Sequence, residues 1–431
     1  MICDNLTVGQ NGTLHFARQD TVALAARYGT PLYLMDEQKI RENIRAYKNA
    51  MAAHLPTGSV PEYASKAFSC RRIYEIMAEE GVHIDVVSPG ELYTAKQAGF
   101  PMEHCFFHGN NKSDEDIAMG MDNGVGCFVL DSFDEIEAVE ALAAARNITQ
   151  NVLLRVTPGI DPHTHRKINT GTVDSKFGIA LQTGQAMEAV AFILQQPHLS
   201  LQGFHCHVGS QLFDVAPLLD GADTMLTFIK EVQTRLGYTA DILNLGGGLG
   251  VRYTENDPVI RYEEKVAEIA AHIKAVCAQL QLAVPRVMLE PGRSIVASAG
   301  ITLYTVGSVK EVTDYKNYIS VNGGMTDNPR YTLYEAEYTV INASRAAQPA
   351  DYTATLAGRC CESGDIIQRG VSMARPERGD IVAVLTTGAY NYSMASNYNR
   401  IPRPPVIMLR DGDSYVAVRR ETYADLCALD E

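Results

Sequence analysis

Lys66 stands in Tyr-Ala-Ser-Lys-Ala (63–67), directly after a short apolar run. Gly246-Gly247-Gly248-Leu249-Gly250 and Glu290-Pro291-Gly292-Arg293 end two later runs, and His205 and His207 flank Cys206 at the end of another. An amine buried in the mouth of a barrel can lose its proton and attack an aldehyde, so Lys66 is a candidate Schiff-base lysine. Glycines leave room for backbone N–H groups to close around an anion. A carboxylate such as Glu290 is costly to bury unless a cation faces it, and a protonated pyridine nitrogen is such a cation. An aldehyde, a phosphate and a ring nitrogen are the reactive groups of pyridoxal phosphate, and His207 offers a flat face for its ring. Taken singly, a lysine here reads as an ion-pairing residue and a GGGxG run as a tight turn; their joint occurrence points to the cofactor.

The rival enzyme class is a metal-dependent hydrolase. His205 and His207 alternate along a strand, so both imidazoles point to one side, and an H-x-H pair can ligate zinc. No acidic or histidine ligands are expected to recur at matching strand ends, and the glycine cradle would be left unexplained, so no metal site is expected. His163 and His165 read as loop residues.

Eight apolar runs, near 60–65, 84–87, 104–108, 126–130, 152–156, 202–207, 241–245 and 286–290, alternate with helical periodicity and predict a (β/α)8 TIM barrel. The candidate residues lie at the C-terminal ends of these runs, where barrel enzymes keep their chemistry. Helices are predicted at 69–80, 113–123, 184–195, 218–236 and 261–281. Ser132 and Glu135 form a capping-box pattern. After about residue 300 the texture changes to β-branched and aromatic runs at 301–306, 318–321, 338–341, 380–385, 406–409 and 415–418, an antiparallel β-domain. Runs at 13–16 and 32–35 are expected to join it. The expected division is thus a barrel at 36–300 and a β-domain from 1–35 with 301–431.

A chain of 431 residues, 46% hydrophobic, has material for two such domains. Its net charge of -14 disfavours binding to phosphate backbones, so nucleic acid is not an expected partner. No segment reads as a signal peptide or a bilayer span, and nine cysteines without a C-x-x-C pair fit reduced thiols; a soluble, cytoplasmic protein without membrane contact is expected.

Strings along essentially the whole chain resemble the fold-type III pyridoxal-phosphate decarboxylases. They include Tyr-Ala-Ser-Lys-Ala (63–67), Asp-Val-Val-Ser-Pro-Gly-Glu-Leu (85–92), His-Gly-Asn-Asn-Lys (108–112), Thr-Gly-Thr-Val-Asp-Ser-Lys-Phe-Gly (170–178), His-Val-Gly-Ser-Gln (207–211), Glu-Pro-Gly-Arg-Ser (290–294), Cys-Glu-Ser-Gly-Asp (361–365) and Gly-Ala-Tyr (388–390). Within that family the likeness is to enzymes that convert meso-2,6-diaminoheptanedioate to L-lysine and carbon dioxide. The nearest alternatives are relatives acting on ornithine, arginine, carboxynorspermidine or a carrier-bound amino acid, and a non-catalytic carrier of the cofactor.

The resemblance implies roles. Lys66 would bind the cofactor, His207 stack on its ring and Glu290 meet the ring nitrogen. Ser210, Gly247, Gly248, the Pro291-Gly292-Arg293 turn and Tyr390 would hold the phosphate. Arg293, Arg330 and Tyr334 would clamp the substrate's distal carboxylate, with Tyr390 also at the substrate, and Glu362 would meet the distal ammonium. Cys361 would protonate the α-carbon in the neighbouring subunit's site, making a homodimer with shared sites, with Lys176 and Asp365 pairing across the interface. Read without the family, Arg330 and Glu362 are ordinary surface charges and Cys361 a core thiol. Ser65, Phe68, Pro89, Tyr331 and Tyr338 depart from residues common in relatives; His is frequent at the position of Tyr338.

Overall fold

Apolar runs of three to eight residues flanked by glycine and polar clusters become the parallel strands Val60–Ala64, His83–Val86, Cys105–Phe107, Cys127–Leu130, Gln150–Thr157, Leu199–His205, Ile242–Asn244 and Arg286–Leu289 in a computed structural model. The structure describes residues 1–160 and 175–431. His163, His165 and the 170–174 part of the resemblance lie outside the described residues. Each strand pairs with the next, and the ring closes where Met288 and Leu289 register with Val60 and Pro61. The expected TIM barrel is therefore present.

The barrel interior is layered with the two-residue period of a strand. Phe106, Val129, Leu153, Ile242 and Met288 cluster as an apolar layer with Val60 packed against it. Two residues farther along the same chain stretches stand His108, Asp131, Arg155, Asn244, Glu290 and Glu62. The first layer seals the barrel, and the second brings charge to its C-terminal end.

The helices Arg71–Glu80, Asp114–Asp122, Gln185–Ile193, Ala216–Leu236 and Tyr262–Leu280 lie within two residues of their predicted bounds. Ser132 caps Phe133–Arg146 by accepting from the Glu135 N–H at 3.3 Å, but the predicted box is half formed. Glu135 instead accepts from the Asp131 N–H and pairs with Lys112 at 2.5 Å, because that buried ammonium needs a counter-charge.

Two compact units result: Ile44–Gly250 with Ile260–Gly292, and Met1–Asn43 with Val251–Val259 and Arg293–Glu431. The sequence had put the divisions at 36 and 300. In the second unit the main sheet runs Ile366–Met373, Tyr352–Ala357, Lys316–Val321, Gly300–Val312, Leu32–Asp36, Val406–Arg410, Asp413–Val418, with Ile381–Val384 and Val340–Asn342 branching from Gly300–Val312. Pairing is mostly antiparallel, with two parallel contacts: Leu32–Asp36 beside Val406–Arg410, and Lys316–Val321 beside Tyr352–Ala357. Leu32–Asp36 joins this sheet as expected. Leu14–Phe16 does not; it forms a small sheet with Leu6–Val8 and Gln19–Asp20, although Leu14 and Phe16 are buried in the same core as Leu32, Leu34, Ile301 and Leu303. No described helix is long and apolar enough to cross a membrane.

Candidate active site

In the barrel unit the polar layer converges on Glu290, which follows the eighth strand. His205 Nε2 lies 3.0 Å and His108 Nε2 3.5 Å from Glu290 Oε1, while the Asn244 amide donates to the same oxygen at 2.9 Å. Burial works to raise the Glu290 carboxyl, but the imidazoles of His205 and His108 outweigh it and hold the group well below the ordinary carboxylate range. Glu62, 3.0 Å from His108 and also bonded to Asn244 at 3.2 Å, goes the other way: burial, then the charge of Glu290, pushes it well above that range. One of two neighbouring carboxyls is thus held ionised and the other protonated.

Asn244 also accepts from the Gly246 N–H at 2.8 Å, and the Glu290 N–H donates to Gly246 O at 2.8 Å, so the carboxylate and the glycine turn form one hydrogen-bonded unit. Gly246 and Gly248 have φ of 70° and 131°, values that side chains resist. A Cβ on Gly247 would lie 2.2 Å from Glu290 O, and one on Gly292 2.8 Å from Ala64 Cβ. Only glycine permits so close an approach of these turns to the neighbouring chain, and it leaves their backbone N–H groups uncovered by side chains of their own.

Lys66 occupies a one-turn 3-10 helix, Ser65–Ala67, immediately after the first strand. It is exposed rather than buried as predicted. The Ser65 N–H donates to Asp85 Oδ1 at 3.0 Å, and burial, opposed by Lys66, pushes the Asp85 carboxyl up to about 8. His207 is half-buried just past the sixth strand and packs on Gly246, where a Cβ would lie 2.7 Å from its Nδ1. Burial, then the charge of Lys66, lowers its imidazole to about 3, leaving a neutral flat ring. Ser210 follows in the same segment, half-buried.

Contrary to the expectation that no acidic or histidine ligands recur at matching strand ends, such groups do converge. His108, His205 and Glu290 bring one ligand atom each within 4.8 Å of one another, as do Glu62, Asp85 and His108. Sequence reasoning missed this because the converging residues come from strands far apart in the chain. The glycine turn tied to Glu290, together with an ionised carboxylate and a strand-end lysine, fits pyridoxal phosphate: an anion cradle, a partner for a ring cation and an amine.

In the other unit, Arg293 opens the helix Arg293–Val296 directly after Gly292, and Arg330 opens Arg330–Tyr334. Both arginines are buried, at 7% exposure, so the surface reading of Arg330 is corrected. Arg293 donates to the Tyr253 hydroxyl at 2.7 Å and its guanidinium lies 4.8 Å from the Tyr390 ring centroid. Arg330 lies 4.9 Å from the centroid of the Tyr253 ring and donates to the Tyr338 hydroxyl at 2.8 Å. Tyr390 is half-buried with a φ of 59°, and Tyr334 is half-buried at the end of its helix. Tyr253 was missed: it lies three residues past the glycine run, and nothing local signals that two distant arginines meet it.

Cys361 and Glu362 are exposed, whereas the adjacent Cys360 is buried, which corrects the core reading of Cys361. Asp365, expected to meet Lys176 of a partner, is buried in its own chain and accepts from the N–H groups of Met325 at 2.6 Å and Cys360 at 2.7 Å. Its carboxylate therefore anchors the turn that presents Cys361.

Residues 37–297 match the pyridoxal-binding domain of the pyridoxal-dependent decarboxylases. The chain is 45% identical to diaminopimelate decarboxylase of Bacillus subtilis (strain 168), over 98% of this chain and 96% of that protein. It is 42% identical to the enzyme of the same name from Staphylococcus aureus (strain COL), over 97% of each. The crystal structure of diaminopimelate decarboxylase from M. jannaschii in complex with L-lysine superposes with a TM-score of 0.91 at 34% identity, covering 100% of this chain and 98% of that one.

Proposed function

The chain belongs to the pyridoxal-dependent decarboxylases, and we infer from that premise that it converts meso-2,6-diaminoheptanedioate to L-lysine and carbon dioxide, the last step of lysine biosynthesis, with pyridoxal 5'-phosphate as cofactor. One observation carries the choice of substrate. Arg330 is buried, and among the described residues the groups that bear most on its charge are the phenols of Tyr253, Tyr338 and Tyr390. A buried guanidinium so placed fits a ligand whose far end is an anion. Ornithine and arginine carry no carboxylate at that end.

Bound pyridoxal phosphate supplies an electron sink for the pair left by the departing carboxylate. Lys66 Nζ would hold the cofactor, and His207 would stack on its ring. Glu290, ionised and bonded to Asn244, would keep the ring nitrogen protonated. The amides of Gly247, Gly248 and the Pro291-Gly292-Arg293 turn, with Ser210 and Tyr390, would receive the phosphate. Arg293, Arg330 and Tyr334 bind the distal carboxylate, Glu362 the distal ammonium, and Tyr390 also contacts the substrate. Cys361 delivers the proton to the α-carbon.

The exposure of Cys361 and Glu362 in their own chain supports a homodimer in which each serves the neighbouring site. The cytoplasm is the proposed location, on the reduced-thiol pattern of the nine cysteines. Mixing the inactive Lys66→Ala and Cys361→Ala proteins then restores about a quarter of the sites, since about half the dimers are mixed and each has one intact site. No recovery, with subunit exchange verified, means that Cys361 serves its own chain. The function itself is tested by measuring lysine and carbon dioxide release from meso-2,6-diaminoheptanedioate beside ornithine and arginine. Turnover of ornithine or arginine in preference to the diamino dicarboxylate would refute it.

A further inference from the structure

Tyr253 meets two buried arginines that stand 37 residues apart in the chain. Its own backbone is pinned from two directions. Its N–H donates to Asp257 at 2.9 Å, and its carbonyl accepts from the Thr339 N–H at 3.1 Å and the Thr339 hydroxyl at 2.8 Å. The ring stands edge-on to Tyr338, with centroids 5.4 Å apart and planes at 89°. Tyr338, in turn, accepts from Arg330 at 2.8 Å and from the Asn391 amide at 3.3 Å. The two adjacent rings therefore both bear on the Arg330 guanidinium, Tyr253 through its ring and Tyr338 through its hydroxyl, and Tyr253 also binds Arg293. Guanidinium groups on long side chains have rotamers to lose, so a scaffold that settles their geometry before a ligand arrives lowers the cost of binding.

We propose that Tyr253 is a positioning residue for substrate specificity: together with the neighbouring Tyr338, it presets Arg293 and Arg330 to receive the substrate's second carboxylate. This rests on the assignment of those arginines to that carboxylate. The charge state of the cluster agrees with it. Burial works to raise the Tyr253 phenol, but the guanidiniums of Arg293 and Arg330 bring it below its ordinary value, so its oxygen is a strong acceptor for both. At position 338, a histidine would also offer an acceptor nitrogen to Arg330.

The experiment compares two ligands on the pyridoxal-phosphate-loaded enzyme: L-lysine, which carries the carboxylate, and cadaverine, which lacks it. Dissociation constants come from calorimetry, with thermal melting as the control for folding. Tyr253→Phe keeps the ring and removes the oxygen. It should weaken L-lysine about tenfold, the scale for one hydrogen bond to a charged group, and leave cadaverine within about twofold. The KM for meso-2,6-diaminoheptanedioate should rise by a similar factor, with kcat changed less. Tyr338→Phe should act in the same direction, and Tyr338→His should recover most of the loss. Arg330→Met reports separately on the assignment beneath. If it loses the preference for L-lysine while Tyr253→Phe keeps it, the positioning role is wrong and the clamp stands. If Arg330→Met also keeps the preference, the clamp itself is wrong. Equal weakening of both ligands by Tyr253→Phe would likewise overturn the proposal, since it would mark general damage.

Discussion

The barrel end and the arginine cluster solve opposite problems with different chemistry. Around Glu290 the unit buries an anion and brings two imidazole nitrogens and an amide of its own to one carboxylate oxygen. Around Arg330 the other unit buries a cation and gives it phenols, which accept hydrogen bonds but do not cancel a full charge at ordinary pH. The first arrangement suits a permanent electrostatic task such as holding a proton on a cofactor ring. The second suits an exchangeable one, binding a carboxylate that arrives and leaves.

The sharpest way to break this contrast is Arg330→Met. It should lose about 2–5 kcal/mol in kcat/KM for the diamino dicarboxylate, the scale for removing one partner of a buried charge pair. Wild-type kinetics in this variant would show that the cluster does not meet the substrate. Glu290→Gln keeps the shape and hydrogen bonds of the barrel site but not the charge. Its kcat should fall about a hundredfold with little change in L-lysine affinity, as expected for a group that acts on the cofactor. A loss confined to substrate binding would merge the two regions into one role.

Two stability measurements sharpen the picture. Asp365→Asn weakens an acceptor for the Met325 and Cys360 N–H groups and should cost about 1–2 kcal/mol by denaturant melting. If Lys176→Ala reproduces that loss, an intersubunit ion pair contributes after all. Asp85 tests the price of burying an acid. Burial pushes its folded carboxyl up to about 8, so its stability contribution is present at low pH and is lost as pH rises toward that value. Asp85→Asn, which keeps an acceptor for the Ser65 N–H, should therefore stabilise the protein by a margin that grows from about pH 4 to about pH 8, reaching several kcal/mol on the scale of about 1.4 kcal/mol per pK unit. A gain independent of pH would point to packing instead.

What was legible in the sequence follows the same division. Barrel strands announce themselves through apolar runs ending in Lys66, His207, the 246–250 glycines and Glu290, because each run is buried on both faces and each loop must turn at once toward the site. The polar layer was only half visible: Glu62 and Asn244 sit inside strand segments, two residues past apolar inward positions, and their neighbours come from other strands. In the β-unit, Tyr352–Ala357 and Ile366–Met373 are not among the predicted strands: the first carries a threonine alternation that does favour a strand but is only six residues long, and Gln368, Arg369 and Gly370 interrupt the second. Their pairing is fixed by partners rather than by local pattern. Burial of Arg330 and Asp365 likewise depends on contacts with Tyr338 and Met325, which no local spacing encodes.

The most direct measurement is covalent. Borohydride reduction of the loaded enzyme, followed by peptide mass mapping, should place a pyridoxyl group on the Lys66 peptide. Recovery of that group only on another lysine would contradict the assignment of Lys66 and, with it, the placement of the chemistry at the C-terminal end of the barrel.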